Sequence, residues 1–192
     1  MTIYNWLFST LWLVFIVYWT VSAAGVKRTI GGAQVWWREI GFRLGVLVLV
    51  LLALRISGAD HALRNARSYW VNTSAVMGLI GVVLCALGIG LAILARVHLG
   101  RNWGMPMSRK ENPELVATGP YAFVRHPIYA GVLLAMLGSM IGLSILWLPP
   151  LVLCGAYFIY SARREEALMT EQFPERYPAY MKRTKMLLPF VL

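Results

Sequence analysis

The sequence predicts an all-α integral membrane protein of about five transmembrane helices. Three observations carry that prediction. The 192 residues are 59% hydrophobic and only 14% charged, where a soluble domain carries about a quarter charged residues. The apolar residues fall in runs long enough to cross a bilayer, which takes roughly 20 residues of helix. The excess of base, 18 Lys and Arg against 8 Asp and Glu, sits beside those runs. Anionic headgroups and the positive-inside bias account for that placement better than nucleic acid does.

The first run, Ile3 to Ala24, carries Trp6, Trp12, Tyr18 and Trp19, which are lipid-facing or interfacial by default. It has neither the charged start nor the small-residue cleavage site of a secretory signal and reads as a retained span. A second span is expected from Ile40 to Ile56, with Arg43 and Arg55 near its ends able to snorkel. A third, Ser74 to Leu99, contains Gly78, Gly81, Gly88 and Gly90, small residues that let membrane helices approach closely. The fourth runs from Pro127 to Leu146 and the fifth from Leu151 to Ala162, continuing as helix into Arg163 and Glu166. Between them Trp147 to Pro150 is uncharged, which predicts a tight helical hairpin. Residues 167–192 place Phe173, Tyr177, Tyr180, Met186 and Leu187 among Lys and Arg, an amphipathic tail suited to a membrane surface. Lys and Arg counts put the N-terminus outside and the C-terminus in the cytosol. The chain reads as one domain, with 1–99 supplying three spans and 100–192 the polar chemistry. Cys85 and Cys154 lie inside apolar runs, and His61, His98 and His126 are far apart. Neither set has metal-ligand spacing, and no metal is expected.

The most chemically dense stretch is 119–131, where Arg125 and His126 precede Pro127. Proline is favoured at the first helical position, so these two side chains stand at a helix mouth. Such a mouth attracts anions, although the pair could equally anchor the helix at the interface. A hairpin of the last two spans brings them beside Glu165 and Glu166, which follow Arg163 and Arg164. That cluster is either an ion-pair clasp or a polar pocket at the bilayer edge. No nucleophile elbow, phosphate loop or zinc-protease motif is present.

Leu115 and Val116, then Thr118 to Tyr121, then Arg125, His126, Pro127, Tyr129 and Gly131 form one motif. Glu165, Glu166, Phe173, Tyr177, Tyr180, Leu188 and Pro189 form a second, and Leu99 to Trp103 lies ahead of both. In these the sequence resembles the isoprenylcysteine carboxyl methyltransferase family and its wider relatives, the membrane phospholipid methyltransferases. The resemblance covers about residues 96–190.

It implies methyl transfer from S-adenosyl-L-methionine to a lipophilic acceptor entering from the bilayer, with the active site on the cytosolic face. Carried over by position, the cofactor-binding cap would use Glu114, Leu115, Val116, Tyr121, His126, Pro127, Ile128, Tyr129 and Glu165. The catalytic set would be Arg125, His126, Arg163, Arg164 and Glu166. Arg163 or Arg164 would hold an acceptor carboxylate, although the family's acceptor-binding arginine would fall near Ser161, not on an Arg. If the acceptor is an amine or thiol, His126 or Glu166 would receive its proton. Isoprenylcysteine O-methylation is the leading expectation. Phospholipid N-methylation or methylation of a small hydrophobic thiol or acid stands behind it. A sterol-reductase-like NADPH enzyme and a non-enzymatic membrane protein are the alternatives of another class.

Overall fold

The structure is a computed structural model and describes residues 3–22, 72, 74–103 and 114–187. It is helical: α1 (Ile3–Ser22), α2 (Ala75–Leu99), α3 (Pro127–Gly142), α4 (Leu148–Gln172) and α5 (Arg176–Arg183). Short 3-10 turns occur at Gly100–Asn102, Gly119–Ala122 and Ile145–Trp147. α1, α2, and α4 with its leading turn are each long and apolar enough to cross a membrane. The expected second span and the links flanking it lie outside the described residues, as do 104–113 and 188–192.

α2 begins where Ser74 accepts from the Met77 N–H, and it ends at Gly100, whose φ of 54° lets its N–H cap the last turn. Along its length it lies against α3 through glycines. A Cβ added at Gly81 would come within 2.5 Å of Gly138 O, and one at Gly88 within 2.5 Å of Gly131 O. A Cβ added at Gly138 would in turn come within 2.5 Å of the Cys85 nitrogen. At Gly81 and Gly88 backbone therefore meets backbone, as close helix packing through small residues predicts, whereas Gly78 meets the Tyr4 ring. Gly90 differs, since nothing lies within 4 Å of a Cβ there. Gly138→Ala is accordingly expected to destabilise the fold by about 1–3 kcal/mol through overpacking. Gly90→Ala should be neutral or slightly stabilising. Thermal unfolding of the two variants in detergent checks the contrast.

α1 lies across this pair. Phe8, 1% exposed, closes on Gly142, and the Tyr4 ring closes on Gly78. Trp12 is not simply a lipid-facing residue. Its indole N–H donates to Ser139 Oγ at 3.0 Å, and its ring stacks on Trp147 at 5.6 Å. A buried hydroxyl on α3 gives the indole the partner it needs away from water.

α3 and α4 differ in detail from expectation. α3 stops at Gly142 after 16 residues, a rise of about 24 Å, and a 3-10 turn capped by Ser144 follows it. Leu148, Pro149 and Pro150 do not form the connecting turn but the first turn of α4. Proline lacks only an N–H that the first helical turn leaves unpaired anyway. Tyr129 meets Ser161 and Glu165, and Leu133 lies 3.9 Å from a Cβ at Gly155. The two helices thus run side by side in opposite directions. This juxtaposition positions the site.

Candidate functional site

Local backbone chemistry holds 119–126 against the end of α2. Gly119 has φ 59°, and a Cβ there would strike the His98 ring at 2.4 Å. Pro120 opens the 3-10 turn that buries Tyr121. Pro127, fully buried, then starts α3, with His126 as its N-cap. Arg125 and His126 are therefore at the helix mouth that the sequence predicts.

The cluster beside them is close-knit. Arg125 Nε donates to Glu166 Oε1 at 2.6 Å, with the two side chains 10% and 9% exposed. His126 Nε2 stands 3.3 Å from the same oxygen, and its Nδ1 stands 3.7 Å from Glu165 Oε2. Glu165 Oε1 accepts from the Tyr129 hydroxyl and, at 2.9 Å, from Ser161. The two carboxylates thus differ in character. Glu166 is buried and matched by a guanidinium, whereas Glu165 is 27% exposed and held mainly by neutral hydroxyls. A flat stack extends from the cluster, His126 on Tyr129 at 5.4 Å and Tyr129 on Phe158 at 4.5 Å.

A C-terminal strap closes over one side. Residues 184–187 run parallel to 124–126, with Arg125 N donating to Lys185 O at 2.8 Å and His126 N to Met186 O at 3.0 Å. Arg125 Nη1 also donates to the carbonyls of Met181 and Thr184. From α5 the Tyr180 hydroxyl donates to Tyr121 O at 2.5 Å. Burial pushes the Tyr180 phenol up to about 12, and raises Tyr121 and Tyr177 as well. A tyrosine raised in this way favours the fold below pH 10 and ceases to favour it as pH climbs through the folded value. The strap should therefore loosen between about pH 10 and 12. Absorbance of tyrosinate near 295 nm should show a delayed step that Tyr180→Phe removes, and an unchanged curve would refute this.

The remaining expected residues are spread around this centre. Leu115, Val116, Ile128 and Tyr129 are half-buried, and Glu114 is exposed. Glu114 Oε2 accepts from Asn102 Nδ2 at 3.2 Å, which ties the start of that stretch to the turn after α2. Arg163 and Arg164 are exposed, on the face of α4 turned away from Ser161, Ala162, Glu165 and Glu166. Three residues stand outside the site residues expected from the sequence. Ser161 is fully buried and orients Glu165. Asn102 Oδ1 and Arg96 Nε are buried without a hydrogen-bond partner among the described residues. Arg96 had a legible signal, a charge inside an apolar run, which is a functional candidate by default. Among the described residues no group of three or more His, Cys, Asp or Glu could hold a metal ion.

A solved structure of the eukaryotic intramembrane Ras methyltransferase, isoprenylcysteine carboxyl methyltransferase, superposes with a TM-score of 0.51 at 28% identity. It covers 59% of this chain and 42% of that one. The protein-S-isoprenylcysteine O-methyltransferase of Schizosaccharomyces pombe is 30% identical over 112 residues, 56% of this chain and 47% of that protein. The nickel-cobalt-cadmium resistance protein NccN of Alcaligenes xylosoxydans xylosoxydans is 29% identical over 150 residues, 77% of this chain and 64% of that protein. The cobalt-zinc-cadmium resistance protein CzcN of Cupriavidus metallidurans is 32% identical over 106 residues, 54% of this chain and 49% of that protein. The chain thus spans about half to just under two thirds of the curated relatives it matches. The profile described as phospholipid methyltransferase matches residues 76–176, just over half of the chain. Together with three helices among the described residues able to cross a membrane, these matches identify an integral membrane protein that belongs to the phospholipid methyltransferase family.

Proposed function

We propose that the protein transfers a methyl group from S-adenosyl-L-methionine to a lipophilic acceptor that reaches the site from the bilayer. The observation that carries the proposal is the meeting of Arg125 and His126 with Glu165 and Glu166 at the mouth of α3, in a chain of this family.

The residues fit such a cofactor in chemistry. S-adenosylmethionine has cationic, amino and hydroxyl groups that need acceptors, and an adenine that needs an apolar wall. Glu165 is a partly exposed carboxylate oriented by Tyr129 and Ser161, and Asn102 Oδ1 is a buried acceptor that lacks a partner among the described residues. Glu165, Asn102 and Glu114 would hold its polar groups, with Leu115, Val116, Tyr121, Pro127, Ile128 and Tyr129 as the enclosing wall and His126 at the edge. When bound, the cofactor supplies an electrophilic methyl on a sulfonium.

The protein's own contribution is placement and exclusion of water. Glu166 fixes Arg125 and His126, and through Arg125 it fixes the strap that covers the site. A carboxylate acceptor needs no base, and isoprenylcysteine O-methylation is the acceptor chemistry that the two isoprenylcysteine methyltransferase relatives support. For an amine or thiol acceptor, His126 would take the proton, with Glu166 stabilising the charged imidazole. Arg163 and Arg164 are offered as guides for an anionic acceptor at the surface. We further propose five spans with the last two as a tight hairpin. The cap faces the cytosol, and the amphipathic tail lies on the membrane surface, so that residues 1–192 act as one domain.

Purified protein incubated with methyl-tritiated S-adenosylmethionine and N-acetyl-S-farnesylcysteine should move label into base-labile methyl ester in the organic phase. Label recovered in phospholipid instead, when vesicles are supplied, would redirect the acceptor but keep the reaction. Absence of transfer to the farnesylated acid, to phospholipid and to a hydrophobic thiol would overturn it.

A further inference from the structure

Arg96 lies one turn before the end of α2, and its residue is 5% exposed. The packing of Gly88 and Ala92 of α2 on Gly131 of α3 sets an antiparallel register. Continued by one turn, that register brings Arg96 level with the start of α3 at Pro127, beside the proposed methyl-transfer site. Nη1 donates to Gly100 O at 2.7 Å and Nη2 donates to Ser22 O. The guanidinium lies 4.7 Å from the centre of the Trp103 ring. Its Nε–H is buried and, among the described residues, has no acceptor. Among the described residues, the ion pairs of the site are all drawn by Arg125 and His126, and none reaches Arg96.

A buried cation balanced, among the described residues, by two carbonyls and a ring face is costly. Desolvation of one unpaired ion amounts to several kcal/mol, and a buried N–H without an acceptor adds to it. One plain role accounts for part of the arrangement: the two Nη contacts clasp the end of α1 to the end of α2. That clasp uses neither Nε nor the charge. Among the described residues, no carboxylate forms an ion pair with Arg96.

Tyr121 is within electrostatic reach of both Arg96 and Glu165. A ligand that reached both groups would meet one negative and one positive side chain.

We propose that Arg96 binds an oxyanion, a carboxylate or phosphate, of a molecule held in this site, through its Nε–H. The proposal rests on the methyltransferase reading. Two sources share this chemistry, the carboxylate of the methyl donor and an acid group on the lipophilic acceptor.

The test uses full-length protein in detergent, as wild type, Arg96→Gln and Arg96→Lys. Each is titrated calorimetrically with S-adenosylhomocysteine, with methylthioadenosine (which lacks the amino-acid carboxylate), and with N-acetyl-S-farnesylcysteine and its carboxamide. Arg96→Gln should weaken one of the two acids by about tenfold to a hundredfold and leave methylthioadenosine and the carboxamide unchanged. Loss confined to S-adenosylhomocysteine assigns the oxyanion to the donor, and loss confined to the farnesylated acid assigns it to the acceptor. Arg96→Lys keeps the charge and can keep a carbonyl contact, which guards against a variant that fails to fold. It should show the same selective loss in smaller degree. Wild-type affinity for all four ligands in either folded variant, with only a lower melting temperature, would reduce Arg96 to a clasp and overturn the proposal. Wild-type protein that binds none of the four would instead sink the methyltransferase reading, and this inference with it.

Discussion

Replacing Glu166 with alanine is expected to destabilise the protein by about 3–5 kcal/mol, the largest effect of any single change at the site. Arg125 donates to Glu166 at 2.6 Å with both side chains about nine-tenths buried. Removing the carboxylate leaves a guanidinium with no ionic partner in a place water reaches poorly, and that residual charge dominates the cost. The damage should spread. Arg125 also holds the carbonyls of Met181 and Thr184, so the strap should loosen with it, and protease should cut after 173–187 residues that the intact protein protects. Glu166→Gln keeps the shape and part of the hydrogen bonding and should cost less. The paired change Arg125→Met with Glu166→Leu should recover much of the loss, because it removes both charges at once. Detergent-phase unfolding of the four proteins checks the order. Equal stability of Glu166→Ala and wild type would show that the pair carries no energy.

Replacing Glu165 with alanine should act on binding rather than on stability. Its carboxylate is 27% exposed and is supported by the Tyr129 and Ser161 hydroxyls. Those hydroxyls can turn to other acceptors when it goes. What is lost is a charge-assisted hydrogen bond to the ligand, worth about 1.5–3 kcal/mol or roughly tenfold to a hundredfold in affinity. S-adenosylhomocysteine binding should fall by that factor while the melting temperature moves little. Ser161→Ala should give a smaller loss in the same direction, because it removes one of the groups that orient Glu165. His126→Ala should also weaken the cofactor. A Glu165→Ala protein with wild-type affinity would remove this residue from the pocket.

Much of this arrangement is legible in the chain itself. Pro127 announces a helix start, and glycines at 81 and 88 announce a close helix contact. The motif residues around His126 and Glu165 announce a meeting of two segments about forty residues apart. Other features follow from forces that local pattern does not encode. The two prolines at 149 and 150 look like a turn but open a helix, because the first turn leaves N–H groups unused. Trp12 looks lipid-facing but finds a hydroxyl on α3, a partner 127 residues away. The strap is invisible in sequence because its bonds to 124–126 use backbone groups, which every residue has. Ser161 stands where the resemblance leads one to expect an arginine, and only the packing of α4 on α3 shows that it supports Glu165. Arg163 and Arg164, chosen from sequence for their charge, face outward because the inner face of that helix turn is already taken by Ser161, Ala162, Glu165 and Glu166.

The most direct test of the central claim is calorimetric titration of the purified, detergent-solubilised protein with S-adenosylmethionine, S-adenosylhomocysteine and NADPH. Saturable heat from the first two and none from NADPH is the predicted result. Heat from NADPH alone would point to a reductase. Silence from all three in a lipid-supplemented, folded sample would contradict the assignment of a methyl-donor site between α3 and α4.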